Sequence, residues 1–192
     1  YDDNHRTVSI TYPDGSACYM TYNSKNQLAY ETTVNGTKTY SYDEYGNVAT
    51  EIREDGAKAT YQYNEQNKLL SIIGFDGGVV SYEYDSAGNM ITYIQPDGGK
   101  VSYTYDNLHR MTSQTDARGN VTTYVYDGPN LISYTDAEGH TWSFTYDEMN
   151  RQVTMSDPLG NTTKITYDNN GNITKVTLST GDTVEYVYDS FN

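Results

Sequence analysis

Apolar and polar residues alternate along this chain in short runs that end on tyrosine. Val101-Ser102-Tyr103-Thr104-Tyr105 and Val80-Ser81-Tyr82-Glu83-Tyr84 set branched and aromatic residues on one side and Ser, Thr or Glu on the other, the pattern of a strand with one packed face. A second short run follows each of these tyrosines, as in Leu69 to Ile73 or Met90 to Ile94. No 3.6-residue periodicity persists beyond a few positions, so the chain predicts strands and turns with essentially no helix.

The alternation itself repeats. Tyrosine followed by Asp or Asn recurs at Tyr1, Tyr22, Tyr42, Tyr63, Tyr84, Tyr105, Tyr126, Tyr146, Tyr167 and Tyr188, at intervals of 20 or 21 residues. Gly15, Gly36, Gly56, Gly77, Gly98, Gly119, Gly139, Gly160 and Gly181 keep the same beat, about 14 residues behind each tyrosine. Nine units fill residues 1–192, which predicts a single continuous array with no separate domain or linker. After the tyrosine comes a turn of the form Asp-x-x-Gly-Asn in Asp43 to Asn47, Asp85 to Asn89 and Asp168 to Asn172; Asp106, Asp127 and Asp147 stand at the same point. Asp there accepts a local backbone bond, and where Asn67, His109 or Asn150 fills the glycine slot, the residue is one that tolerates the left-handed region. The second turn reads Pro13-Asp14-Gly15, Asn35-Gly36, Asp55-Gly56, Asp76-Gly77 or Pro96-Asp97-Gly98, dipeptides of tight hairpins. In later units Asp116, Asp136 or Asp157 opens that turn and a glycine closes it.

Two strands per unit give about 18 short antiparallel strands in sequence order, an all-β meander. Open sheets seldom exceed about 10 strands without curling, and strand twist accumulates, so a curved or spiralling open sheet is expected. Comparison between units shows what each position needs. Two residues before the recurrent tyrosine stand Met20, Tyr40, Tyr61, Tyr82, Tyr103, Tyr124, Phe144, Ile165 and Tyr186, a site that demands bulk and tolerates loss of the hydroxyl. The recurrent position is always Tyr, which points to a hydrogen-bonded hydroxyl in a partly buried place. The residue after it is Asp except at Asn23 and Asn64, where the acceptor oxygen is kept and the charge is lost. A turn acceptor survives that exchange; a catalytic carboxylate or metal ligand generally does not.

Composition changes this picture only in one respect. Leu, Ile, Val and Phe make up about 16% of the 192 residues and the formal charge is −14, a pairing typical of disordered chains. Twenty-two tyrosines supply the missing apolar mass, each ring burying surface while keeping a polar tip. The apolar runs, such as Ile72-Ile73 and Val79-Val80, fall far short of the roughly 20 residues of a membrane-spanning helix, and no basic-then-apolar signal opens the sequence. Cys18 alone makes no internal disulfide and no thiolate zinc cage. With 12 basic residues against 26 acidic ones there is no footprint for nucleic acid.

Candidate chemistry is sparse. His5, His109 and His140 lie beside turns and share no constellation with Cys18; no Ser, His and Asp set recurs at triad-like spacing; Gly77-Gly78 and Gly98-Gly99 belong to hairpins. The Asp-Gly turns each offer one carboxylate and lack the nonapeptide pattern of calcium-binding β-rolls. Asn-x-Thr triplets at Asn35, Asn120, Asn161 and Asn172 follow from the abundance of Asn and Thr in turns. No catalytic, cofactor-binding or metal-ligating residue is therefore assigned, and no cofactor is expected; the recurrent tyrosines, aspartates and glycines are read as structural positions.

The unit from Tyr84-Asp85-Ser-Ala-Gly88-Asn89 through Pro96-Asp97-Gly98 to Tyr103-Thr-Tyr105-Asp106 resembles that of the YD-repeat, or Rhs, family, and the resemblance runs the length of the chain. It implies membership of the group that includes bacterial Rhs and wall-associated toxins, the shell components of insecticidal toxin complexes, and teneurins. It implies, too, a secreted or cell-surface setting, most simply bacterial, and a hollow β-sheet shell around a toxin or other cargo segment. Asp157-Pro158-Leu159-Gly160 is similar to the family's Asp-Pro-x-Gly near its self-cleaving segment, yet falls in the ordinary second-turn register and is read as a turn. On this reading the chain is a non-enzymatic piece of a longer array, whose partners are further repeats of the same polypeptide and the enclosed segment. Exposed edge strands add edge-to-edge self-association. The alternative is a carbohydrate or cell-wall binding module that uses exposed tyrosine rings, although Trp142 is the sole tryptophan.

Overall fold

A computed structural model describes residues 1–189. Among them every regular element is a strand, and the chain divides into two units, Tyr1–Lys100 and Val101–Asn192. The first unit holds β1 (Ser9–Thr11), β2 (Ala17–Tyr22), β3 (Leu28–Thr33), β4 (Gly36–Tyr42), β5 (Val48–Ile52), β6 (Lys58–Tyr63), β7 (Leu69–Ile73), β8 (Val79–Tyr84) and β9 (Met90–Ile94). The second holds β10 (Lys100–Tyr105, whose first residue belongs to the first unit), β11 (Met111–Thr115), β12 (Val121–Asp127), β13 (Asn130–Thr135), β14 (Thr141–Tyr146), β15 (Gln152–Ser156), β16 (Thr162–Tyr167), β17 (Ile173–Thr177) and β18 (Thr183–Glu185). Within each unit every strand pairs antiparallel with the next in sequence, an all-β meander. That is the fold class the period-two pattern predicts.

Both turns of a repeat share one backbone frame. Asp43 donates its amide to the Asn47 carbonyl at 2.9 Å and accepts from the Gly46 amide at 3.2 Å; Tyr12 does the same with Ser16 and Gly15 at 2.8 and 2.9 Å. This is a four-residue turn whose last member is left-handed, a geometry that suits the twist of the flanking strands. The dipeptides Asp14-Gly15, Asp55-Gly56, Asp76-Gly77 and Asp97-Gly98 are thus the third and fourth residues of a wider turn, which corrects the tight-hairpin expectation for them. Asn67, His109 and Asn150 sit at φ +59°, +62° and +59° in the same slot. Two turns are shorter. Thr33 pairs with Gly36 across Val34-Asn35, and Asp127 pairs with Asn130 across Gly128-Pro129. These two deletions produce the 20-residue intervals that follow Tyr22 and Tyr126.

Among the described residues a β-bulge stands beside each of the eight recurrent tyrosines from Tyr22 to Tyr167. Register shifts at Thr21/Tyr22, Ser41/Tyr42, Gln62/Tyr63 and Glu83/Tyr84 in the first unit, and at Thr104/Tyr105, Val125/Tyr126, Thr145/Tyr146 and Thr166/Tyr167 in the second. Tyr42 faces Val48 while Ser41 faces Thr50, so Ala49 is the extra residue. Bulges bend a strand and increase its right-handed twist, so each of these eight hairpins carries its own twisting device. Deep core is scarce: Cys18, Ala59, Val101 and Thr92 are buried, and the other described residues are half-buried or exposed. Among the described residues each unit is stabilised strand to strand, with no second layer packed on it.

Candidate functional site

In each unit the recurrent tyrosines and the aspartates after them meet at the tyrosine turns, while the recurrent glycines close the second turns at the other ends of the strands. Recurrent tyrosines donate their hydroxyl to a main-chain carbonyl: Tyr22 to Thr7 at 2.8 Å, Tyr42 to Leu28 at 2.7 Å, Tyr84 to Leu69 at 2.9 Å, Tyr126 to Met111 at 3.0 Å, Tyr146 to Leu131 at 2.8 Å and Tyr167 to Gln152 at 2.8 Å. The acceptor lies 14 or 15 residues back, just after the preceding tyrosine turn. The ring therefore spans the open end of the hairpin formed by the two strands between, and its hydroxyl fastens it. Phenylalanine would leave that carbonyl without this donor, which accounts for the constancy of tyrosine. Tyr63 is part-buried, and burial raises the pKa of its hydroxyl above the ordinary tyrosine value.

The aspartate after each tyrosine organises the turn. Asp43 Oδ1 accepts from the amides of Tyr45 and Asn47, and Oδ2 accepts from Asn47 Nδ2 at 3.0 Å. Asp85, Asp106, Asp147 and Asp168 each hold the fourth residue after them in the same way. Asn23 and Asn64 keep the two amide bonds through their single carbonyl oxygen. The side-chain bond from Asn89 pulls the Asp85 carboxyl below its ordinary pKa, that from Arg110 does so for Asp106, and that from Asn172 for Asp168. Asp127 differs: its turn is a residue short, the residue is exposed, and its carboxylate takes no turn amide. The glycines of the beat all have positive φ, from +81° to +132°. Asp157 holds the Leu159 and Asn161 amides, so Asp157 to Gly160 is an ordinary turn of the series.

One set of residues escaped the sequence reading. In several repeats the position that closes the tyrosine turn reaches to the following turn: Arg6 to Asn26 at 2.7 Å, Gln27 to Gly46 at 3.4 Å, Asn47 to Asn67 at 2.9 Å, Lys68 to the Gly88 carbonyl, Arg110 to the Gly128 carbonyl, and Arg151 to the Asp168 carbonyl at 3.1 Å. Where that residue is cationic it also covers the next tyrosine ring: Arg6 on Tyr22 at 4.6 Å, Lys68 on Tyr84 at 5.1 Å, Arg110 on Tyr126 at 4.3 Å and Arg151 on Tyr167 at 4.6 Å. The available signal was a polar side chain 15 or 16 residues ahead of a recurrent tyrosine.

The two faces of each unit carry different chemistry. One presents a row of large side chains: Tyr134 stacks on Trp142 at 4.7 Å and on Tyr124 and Phe144 at 6.3 Å in the second unit, and Tyr82 meets Tyr93 at 5.6 Å in the first. Glu31 interrupts the row, accepting from Tyr40 at 3.3 Å and from the Cys18 thiol at 3.4 Å. Burial, with Glu31 and Glu51 nearby, pushes Tyr40 up to about 12. The opposite face is hydroxylic, with Ser41 on Thr50 at 2.6 Å, Thr135 on Thr141 at 2.8 Å and Thr145 on Thr154 at 2.6 Å. Cross-strand pairs of both kinds stabilise a sheet.

Among the described residues one group brings together metal-ligating types, Asp136, Glu138 and His140. His140 Nδ1 lies 3.2 Å from Asp136 and 3.5 Å from Glu138. His140 holds the turn position that Asn120 and Asn161 hold in neighbouring repeats, each bonded to the aspartate four residues before. The cluster is the repeat's ordinary turn contact made by imidazole.

Comparison with known proteins follows the same lines. The RHS Repeat family matches residues 63–100, 84–121 and 127–162. Curated proteins yield no match. The fold is similar to the crystal structure of TcdB2-TccC3 without hypervariable C-terminal region, with TM-score 0.66, 18% identity, and coverage of 88% of this chain and 10% of that one. It is similar as well to TcdB2-TccC3-TEV, with TM-score 0.55, 22% identity and coverage of 94% and 10%. A third likeness is to the Photorhabdus luminescens Tc holotoxin pore with a mutated TccC3, with TM-score 0.52, 19% identity and coverage of 93% and 12%. The chain thus spans about a tenth of the length of these structures, and at such identities the likeness concerns the fold. Tyrosine-closed hairpins, Asp-organised turns and the matched repeats agree: the chain belongs to the RHS, or YD-repeat, family.

Proposed function

We propose that this chain is a non-enzymatic wall segment: a stretch of RHS-repeat sheet that separates an enclosed polypeptide from its surroundings in a secreted or cell-surface protein. The observation that carries the reading is where the polar chemistry goes. Tyrosine hydroxyls, turn carboxylates and closing cations engage in bonds that join strand to strand and turn to turn, which makes a cohesive sheet and, among the described residues, leaves no convergent set of groups aimed at a substrate. Nine repeats of one kind run through both units as one continuous array, and the fold likeness to TcdB2-TccC3 supports a shell role. Its partners on this reading are further repeats of the same polypeptide and the enclosed segment, with β1 and β18, exposed along their lengths, as edges for further pairing.

The test uses the full-length polypeptide that contains this array. Limited proteolysis is expected to spare a segment enclosed by the array until the repeats unfold. Digestion of every segment outside the array at the rate of an unfolded peptide, with the repeats intact, would contradict containment.

A second reading has one observation in its favour: Tyr12, Tyr19 and Tyr30 are exposed near one end of the first unit, where rings could stack on sugars. Saturable binding in a glycan or peptidoglycan screen, lost on replacing Tyr19 and Tyr30, would establish it in place of the wall reading.

A further inference from the structure

Among the described residues four recurrent tyrosine rings, two in each unit, are covered by a cation from the residue 16 positions earlier, at 4.3 to 5.1 Å. For Tyr146 that position is Asn130, whose side chain instead donates to Asn150 Oδ1 at 2.8 Å. The loop ahead of Asn130 is the shortened one, Gly128-Pro129, which closes Asp127 directly against Asn130. Three consequences meet there. Among the described residues no cation covers the Tyr146 ring, the Asp127 carboxylate is exposed and outside the turn bonding, and the missing residue opens a groove of about 680 Å³, against about 280 to 330 Å³ for recesses beside other tyrosine turns. Asp127, Pro129, Ile132, Phe144, Tyr146 and Asp147 line it. Asp147 is already engaged by Arg151 Nε at 2.7 Å, which leaves Asp127 as the carboxylate with capacity for a new donor.

We propose that this groove binds an arginine side chain of a partner polypeptide, the guanidinium lying on Tyr146 and donating to Asp127. The occupant is argued from the molecule itself. Elsewhere in the same unit a guanidinium meets both kinds of group at once: Arg110 donates to Asp106 at 2.8 Å while covering Tyr126, and Arg151 donates to Asp147 while covering Tyr167. A planar fork satisfies a carboxylate and a ring face together, which an ammonium does less well, and the net charge of −14 favours a cationic partner. Arg110 approaches the loop from the Tyr126 side through the Gly128 carbonyl and does not line the groove.

The experiment titrates the whole chain with capped Gly-Arg-Gly, Gly-Lys-Gly and Gly-citrulline-Gly peptides, followed by amide NMR shifts. The arginine peptide is expected to shift Gly128, Asn130 and Asn150 saturably, with binding that weakens as salt is added. Asp127→Asn, at an exposed position outside the turn network, should weaken it about fivefold. Asn130→Arg should abolish it by covering Tyr146 from within the chain, as Arg110 covers Tyr126. No saturable shift, equal binding of the lysine or citrulline peptide, or indifference to both substitutions with the circular dichroism spectrum unchanged would overturn the proposal.

Discussion

The hydroxyl of Tyr84 donates to the main-chain carbonyl of Leu69 at 2.9 Å, while two residues earlier Tyr82 contributes its ring alone, set 5.6 Å from that of Tyr93. The two tyrosines lie on one face of one strand and do different work. Tyr84 fastens the open end of a hairpin; Tyr82 fills the row between strands. The same division explains why the repeat tolerates Met20, Phe144 and Ile165 at the second position and only tyrosine at the first.

Tyr84→Phe is therefore expected to destabilise by about 1 kcal/mol, the net worth of one part-buried hydrogen bond. Tyr82→Phe should fall within about 0.5 kcal/mol of the parent, as changes outside such bonds do. Urea midpoints of the two variants measured side by side decide it, and equal or reversed losses would refute the assignment.

The left-handed slot of the tyrosine turns makes a second prediction. Asn67 sits at φ +59°, a conformation that is strained by roughly 1–2 kcal/mol for most L-residues and is free of that strain in glycine. Asn67→Gly relieves the strain but gives up the exposed acceptor of the Asn47 side chain, so it should stay within about 0.5 kcal/mol of the parent, whereas Asn67→Val should lower stability by about 1 kcal/mol or more. Thermal melts that rank Val above Gly would show that the slot is not left-handed in solution.

Acid should act on the turns before it acts on the strands. The carboxyls of Asp85, Asp106 and Asp168 are held below the ordinary aspartate value by their hydrogen bonds. A depressed native pKa contributes stability that is present above the unfolded value, near 3.9, and is lost as the pH falls through the native one. The melting temperature is expected to be flat from neutrality to about pH 5 and to fall below about pH 4. Replacing all three with Asn, which keeps the amide acceptor as Asn64 does, should flatten that acid limb while lowering stability at neutral pH.

Cys18 offers a local probe of β2. It is 2% exposed, and burial, followed by its bond to Glu31, raises its thiol pKa. A thiol that is both inaccessible and protonated reacts slowly. Ellman's reagent at pH 8 should label it on the timescale of local opening, with the rate climbing in sub-denaturing urea, and at once in the unfolded chain. Immediate stoichiometric labelling of the native chain would place this side chain on the surface.

Local chemistry alone determined much of this protein. The period-two runs, the 20 or 21-residue beat and the tyrosine-aspartate-glycine spacing fix the strand order, because each strand pairs with its sequence neighbour and each turn is built from residues a few positions apart. The exchange of Asp for Asn at residues 23 and 64 already marked the turn aspartates as acceptors, since a single chain supplied its own comparisons. What only the tertiary structure decided lies across the strands. The bulged Ala49 and its equivalents alter register by one residue, a shift with no composition of its own. The reach of Arg151 over Tyr167 spans 16 residues and depends on two turns standing side by side. The groove at Asp127 exists because one turn lost a residue while its neighbours kept theirs. Periodicity encodes what a residue does within its own hairpin; contact between hairpins is set by backbone twist and turn length, which a pattern of letters does not carry.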